Sequence, residues 1–234
     1  MAAMAQAVEH DLLGIGIYTP AEAALYARLP VPMLQRWLFG NRSGDAVIHP
    51  QLGATRIVTF RDFVQAMAVR SIRRQRRVSL QKIREAIEET EKRYGLSLPL
   101  ARRHRIYQLA DNILIRLEAG KDDLVQVTGE HSGHMVLYEI AEVFMKDLYF
   151  DSADGLASSY DSFTYRGDRV FTMNPAIQMG QPILNTCKYS ASALVSAFRT
   201  EGTVETAAAA LGVEPEDIDA ANAYADFLQD SLAA

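Results

Sequence analysis

The helix punctuation between residues 19 and 39 limits the folds open to this chain more than any other feature. The stretch reads TPAEAALYARLPVPMLQRWLF. Thr19 offers a side-chain cap, Pro20 suits a first helical position, and Ala21, Ala24 and Leu25 repeat at helical spacing. A second helix opens near Pro32, with Leu34, Trp37 and Leu38 on its apolar side and Gln35 and Arg36 facing outward. Two short helices joined by a tight turn make a helix-turn-helix, whose second helix can enter a DNA major groove. The same spacing also serves a plain helical hairpin in a core. The elements C-terminal to residue 39 have to separate the two.

Asn41, Ser43, Gly44 and Asp45 mark a loop. Residues 46–48 and 56–59 are β-prone runs separated by His49, Pro50 and Gly53, which predicts a hairpin, or wing. Thr59 and Asp62 form a capping-box pattern that opens a helix through Phe60, Phe63, Val64, Met67 and Val69. That helix ends in Arg70, Arg73, Arg74, Arg76 and Arg77, with no acid among them. A charge run is often only a solvated face, but beside a wing it can grip phosphates. Ser79 then caps a helix with Leu80, Ile83, Ile87 and Tyr94 on one stripe, stopped by Gly95.

The charge balance divides the chain in two. The formal net charge is −5, yet residues 1–105 hold 17 Lys and Arg against 9 Asp and Glu, and the remainder holds 7 against 20. A basic half attracts polyanions by releasing their counterions and an acidic half is repelled, so any nucleic acid belongs to the first half. The 49% hydrophobic and 23% charged fractions are those of a soluble globular protein. No run approaches the roughly 20 apolar residues of a membrane span, and the start lacks a signal-peptide pattern. The single cysteine, Cys187, allows no intrachain disulfide. A cytoplasmic protein without membrane contact is expected.

Residues 106–117 alternate as a strand pair around Asp111 and Asn112, and residues 124–128 and 135–138 flank a second turn. Residues 138–148 are predicted to form an amphipathic helix through Ile140, Phe144, Met145 and Leu148. A β-prone stretch with Tyr149, Phe150, Tyr160 and Phe163 comes after it. Glu130, His131 and His134 are metal-ligand types, but Ser132 and Gly133 put them in a turn, where the spacing cannot aim both imidazoles at one ion. A polar hairpin tip is expected there. No phosphate loop or nucleophile elbow appears elsewhere, so no enzymatic chemistry, metal or cofactor is expected.

Residues 171–183 read as extended, broken by Pro175, Gly180 and Pro182. A helix through Ala191, Leu194, Val195 and Phe198 ends at Gly202; Thr203 caps an Ala-rich helix to Leu211; Gly212 turns the chain; and Pro215 opens a last helix through Ile218, Ala221, Tyr224 and Leu228. This is the helix-turn-helix format again. Residues 201–234 contain eight acids and no Lys or Arg, so this copy is expected to bind protein or only to pack.

Two resemblances bear on these patterns. Residues 16–95 resemble the MerR-type winged helix-turn-helix family through Ala23, Ala24, Leu29, Leu34, Arg36 and Trp37, and then through Arg56, Thr59, Phe63, Ser79, Leu80, Ile83 and Ile87. Arg28 stands where that family's turn usually has Gly, and Pro30 where a Ser or Thr usually caps. The resemblance implies an operator-binding regulator that pairs as a homodimer through the helix after the wing. Its DNA-facing candidates are Thr19, Gln35, Arg36, Arg42, Arg56, Arg73, Arg74, Arg76 and Arg77. Residues 170–228 resemble a small domain carried by many bacterial antitoxins, through Asn174, Pro175, Ile177, Gly180, Pro182, Ile183, Gly202, Glu205, Asp217, Ile218, Ala221 and Tyr224. Asn185, Thr186, Cys187 and Lys188 replace the Thr-Arg-Ile common at that point of the domain.

Together the two halves look like a VapB-type antitoxin, which implies a PIN-domain ribonuclease toxin as partner and transcriptional autoregulation. The cations flanking the extended stretch, Arg166, Arg169, Lys188 and Arg199, are the candidates for toxin contact. The expected fold is α+β: a winged helix-turn-helix over residues 1–98, a small sheet with a helix over 99–168, and a helical unit over 169–234. The alternative is a one-component MerR-like regulator that senses a small molecule through an apolar pocket in residues 104–165.

Overall fold

The computed structural model describes residues 14–41, 44–53, 55–76, 78–109, 112–117, 138–140 and 145–230. The hairpin expected around residues 124–138, the Glu130, His131 and His134 group, and Arg42 and Arg77 lie outside them. Among the described residues the chain forms seven α-helices and three antiparallel sheets, an α+β fold.

Helix α1 (Pro20–Tyr26) begins where Thr19 and Glu22 cap each other: Glu22 N donates to Thr19 Oγ1 at 3.2 Å, and Thr19 N donates to Glu22 Oε2 at 2.8 Å. Helix α2 (Val31–Phe39) buries Leu34, Trp37 and Leu38 against α1 and α3 (Phe60–Arg76). Helix α3 is the spine of the first core, since Phe60, Phe63, Val64, Ala68, Val69 and Ile72 are fully buried along it. Each large apolar side chain so buried contributes about 1.5–3 kcal/mol. Helix α4 (Leu80–Tyr94) starts at the Ser79 cap and ends at Gly95 in the left-handed region, both as the sequence predicts.

The start of α3 is held by a buried carboxylate. Asp62 accepts from Thr59 N at 3.1 Å and Gln51 N at 3.0 Å, and its own amide donates to Thr59 Oγ1 at 3.1 Å. Burial pushes the Asp62 carboxyl above its ordinary range, while the hydrogen bonds from the Thr59 and Gln51 amides pull it back.

The expected wing hairpin takes another form. Strand β2 (Val58–Thr59) pairs with β1 (Ile17–Tyr18), not with residues 46–48. The amides of Val47 and Ile48 instead both donate to Trp37 O, at 2.7 and 3.0 Å, and both side chains are buried. Arg84 fixes the same loop from α4, donating through Nε to Ala46 O at 2.7 Å. Residues 46–48 thus complete the end of α2 rather than a sheet.

Strands β3 (His104–Leu109) and β4 (Asn112–Leu117) form the expected pair, with Leu109 opposite Asn112. None of the described residues of the helix expected over 138–148 is α-helical, and residues 141–144 lie outside the described ones. Strand β5 (Tyr138–Ile140) adds to the other edge of β3, a 3-10 turn covers Met145–Asp147, and β6 begins at Leu148. Hydrogen-bonding capacity on the free edge of β3 overrides the helical spacing of the apolar residues.

Strands β6 (Leu148–Phe150), β7 (Ala157–Tyr165), β8 (Arg169–Met173) and β9 (Pro182–Leu184) form a meander. The boundary expected between residues 168 and 169 cuts its central hairpin, where Tyr165 pairs with Arg169. Phe171 and Leu184 face a second core built with α5 (Ala191–Glu201), α6 (Val204–Leu211) and α7 (Pro215–Asp230). Met173, Leu148, Leu156 and Ala157 belong to the first core, so one sheet serves both. The caps Thr203, Gly202 and Gly212 stand where the sequence places them.

Burial raises the phenols of Tyr26 and Tyr160 from 10.0 to about 12. Between those values the folded chain holds protons that the unfolded chain releases, so stability is flat below about pH 10 and falls as pH rises through 12. Alkaline titration should therefore show part of the tyrosinate absorbance at 295 nm appearing together with loss of far-UV circular dichroism. Complete ionisation near pH 10 with the dichroism intact would contradict this placement of the two rings.

Candidate nucleic-acid interface

Helix α2 turns one face to solvent. Met33 and Arg36 are exposed there, with Gln35 half-buried beside them. Its N-terminus has no side-chain cap, because Pro30 occupies the capping position. Beside this face lies an open groove of about 520 Å³, lined by Arg28 from the α1–α2 turn, Met33 and Arg36 from α2, and Arg70, Arg73 and Arg74 from α3. Asp230, at the end of α7, reaches the same groove. Five guanidiniums thus meet along a surface that three sequence segments build.

Arg28 sits at φ +55°, the left-handed region that favours glycine. Its guanidinium lies 4.1 Å from the centroid of the Phe227 ring, and this cation–π contact helps to offset the backbone cost. Arg73 Nη1 donates to Val78 O at 2.6 Å, tying the link between α3 and α4 while its side chain stays exposed. Arg74 is exposed and Arg70 half-buried. Spacing of i, i+4 puts Arg70 and Arg74 on one face of α3.

The sequence-predicted DNA candidates divide accordingly. Arg36, Arg73 and Arg74 share the groove. Thr19 and Arg56 lie at one end of the β1–β2 pair, in which Tyr18 faces Val58, and the Thr19 hydroxyl is already engaged with Glu22. Arg76 closes α3. The sequence places Arg70 in the arginine run that can grip phosphates but not among the enumerated DNA-facing candidates, and Arg28 in neither. The i, i+4 relation to Arg74 was the available signal for Arg70, and none existed for Arg28.

The toxin candidates in the second half are dispersed. Arg169 turns inward: its Nε donates to Asp217 Oδ1 at 3.1 Å and its Nη1 to Asp168 Oδ2 at 2.9 Å. Asp217 is buried at the start of α7 and also accepts from Thr186 Oγ1 at 2.8 Å, so this pair joins sheet to helix. Arg166 and Lys188 are exposed at positive φ in two turns at one end of the sheet, Arg166 lying 5.0 Å from the Tyr165 ring centroid. Arg199 is exposed in the last turn of α5, about 12 Å along the helix axis from Ala191 at 1.5 Å per residue. Among the described residues no group of His, Cys, Asp and Glu could hold a metal ion, and no helix is long and apolar enough to cross a membrane.

No family model matches the chain. The uncharacterized protein Rv2308 of Mycobacterium tuberculosis is 35% identical over 95 residues, which is 39% of this chain and 40% of that protein's length. The X-ray crystal structure of Rv2018 from Mycobacterium tuberculosis is similar in fold, with a TM-score of 0.58 at 22% identity over 89% of this chain and 98% of that one. At that identity the likeness concerns the fold alone.

Replacing Arg28 tests the strained turn. Arg28→Ala keeps the left-handed backbone and loses the ring contact, whereas Arg28→Gly loses the contact but relaxes the backbone. The Gly variant should exceed the Ala variant in unfolding free energy by about 1 kcal/mol. Coincident denaturation curves would show that the turn carries no such strain.

Proposed function

We propose that the protein is a DNA-binding antitoxin, in which the first helical unit holds operator DNA and the C-terminal unit silences a PIN-domain ribonuclease. The DNA arm rests on one observation: the exposed face of α2 borders a groove into which Arg28, Arg36, Arg70, Arg73 and Arg74 converge. Arginines beside a helix that presents its face to solvent suit a duplex, because cations on the backbone set the register while the helix reads base edges. A two-fold operator calls for two copies, so the acting species is a homodimer.

The toxin arm rests on the resemblance of residues 170–228 to antitoxin-associated domains and on charge. A PIN-type site is a carboxylate cluster that needs Mg²⁺, and an inhibitor can act by placing a cation there or by covering the cleft. Arg166 and Lys188 are the cations best presented for this, being exposed at one end of the sheet, while Arg169 serves the fold. In this reading the protein has no catalytic role of its own.

Charge reversal in the groove tests the first arm. Arg36→Glu, Arg73→Glu and Arg74→Glu combined should lower affinity for DNA from upstream of the protein's own gene about a hundredfold or more. They should also flatten the dependence of log K on log salt by about 0.9 per lost phosphate contact. An electrophoretic shift indifferent to both salt and these substitutions would remove the groove from DNA binding.

The second arm predicts that the protein, in molar excess, stops RNA cleavage by the nuclease encoded beside it. Arg166→Glu with Lys188→Glu should weaken that inhibition without lowering the melting temperature. Full cleavage at excess would refute the antitoxin reading.

A further inference from the structure

Behind the groove, a second cleft of about 360 Å³ separates the first helical unit from the four-stranded sheet. Arg28, Arg70 and Arg74 line it from one side, and Asp147 and Tyr160 from the other. The three guanidiniums act on one another. Arg70 is held below its ordinary value by burial, then by Arg74 and Arg28; Arg28 is lowered by burial and then by Arg74. Among the described residues neither Arg70 nor Arg74 makes a hydrogen bond or an ion pair. Like charges drawn together raise the energy of a fold, and an anion entering from solution relieves it.

We propose that this cleft is a binding site for a phosphate monoester of about nucleotide size. Three guanidiniums against the carboxylates of Asp147, in the cleft, and Asp230, beside Arg28, leave one positive charge. A phosphate monoester carries about −1.5 to −2 at neutral pH and presents three acceptor oxygens. Planar guanidiniums match those oxygens in forked pairs. The remaining wall joins the apolar Met67, Phe227 and Leu228 to the hydroxyl-bearing Ser71 and Ser162, which suits an organic body with polar groups rather than a bare ion. The volume falls within the range of small-molecule pockets. Because the groove at α2 shares the three arginines, an occupied cleft draws them away from any polyanion lying there, a consequence that rests on the DNA reading. The site itself does not.

Calorimetric titration of the full chain with AMP, ribose 5-phosphate, inorganic phosphate and adenosine tests the site without DNA. AMP and ribose 5-phosphate should bind saturably, inorganic phosphate about tenfold more weakly, and adenosine not at all. Arg70→Gln and Arg74→Gln should each lower the affinity for AMP about tenfold or more. Arg74 is exposed, so Arg74→Gln keeps the test decisive should Arg70→Gln unfold. Four results would overturn the proposal: no heat from any phosphate probe up to about 10 mM, adenosine binding as well as AMP, inorganic phosphate binding as tightly as AMP, or unchanged affinity in a folded Arg74→Gln protein.

Discussion

The hydroxyl of Tyr18 donates to Gly180 O at 2.7 Å across 162 positions of sequence, and the two ends of the molecule meet at that bond. Tyr18 is 2% exposed, with the rings of Tyr26 and Phe63 each 6.0 Å away. A phenol so buried without a partner would destabilise the fold, and the partner is a carbonyl in the turn that precedes β9. Gly180 has φ +85°, and any Cβ there would collide with the Tyr18 hydroxyl, so only glycine lets the two segments approach. Because Tyr18 lies in β1, immediately before the Thr19 cap of α1, this contact sets where the first helical unit stands against the rest. The faces of α2 and α3 that carry the arginines are aimed through it.

A second join is made by Arg28. Arg28 crosses from the α1–α2 turn to the ring of Phe227 in α7, with Asp230 close enough to favour its charge. The division into a basic and an acidic half is therefore partly an internal attraction. The acidic helix that composition reserves for protein contact or for packing alone has one end lying along the basic surface.

Helix limits were legible in the sequence because caps act locally. Thr19, the Thr59–Asp62 box, Ser79, Gly95, Gly202, Thr203 and Gly212 each meet a partner within a few residues, and the structure uses every one as read. Strand partnership is non-local and was harder to read. Ile17–Tyr18 is too short to carry a period, so the runs around it suggested that residues 56–59 would fold back on 46–48. Residues 138–140 belong to an apolar spacing that continues to Leu148, and nothing local reveals the waiting edge of β3. Of the site, the joint placement of Arg36, Arg73 and Arg74 followed from a charge cluster next to a short helical pair. Arg28 and Arg169 did not, because what they do depends on Phe227 and Asp217, 199 and 48 residues away respectively.

The hairpin across residue 168 bears on how the protein can be divided. The helices α5 to α7 and strands β8 and β9 resemble a separable module when only their sequence is read. Strand β7, however, hydrogen-bonds to β8 along most of its length, and Phe163 places its ring 5.0 to 6.4 Å from Phe171, Tyr224 and Phe227. A fragment beginning at residue 169 would carry an open strand edge beside a bare aromatic surface. Such an edge is a template for pairing with another chain. Recombinant fragments or proteolytic products cut there would tend to self-associate, and a clean C-terminal piece has to begin upstream of β6.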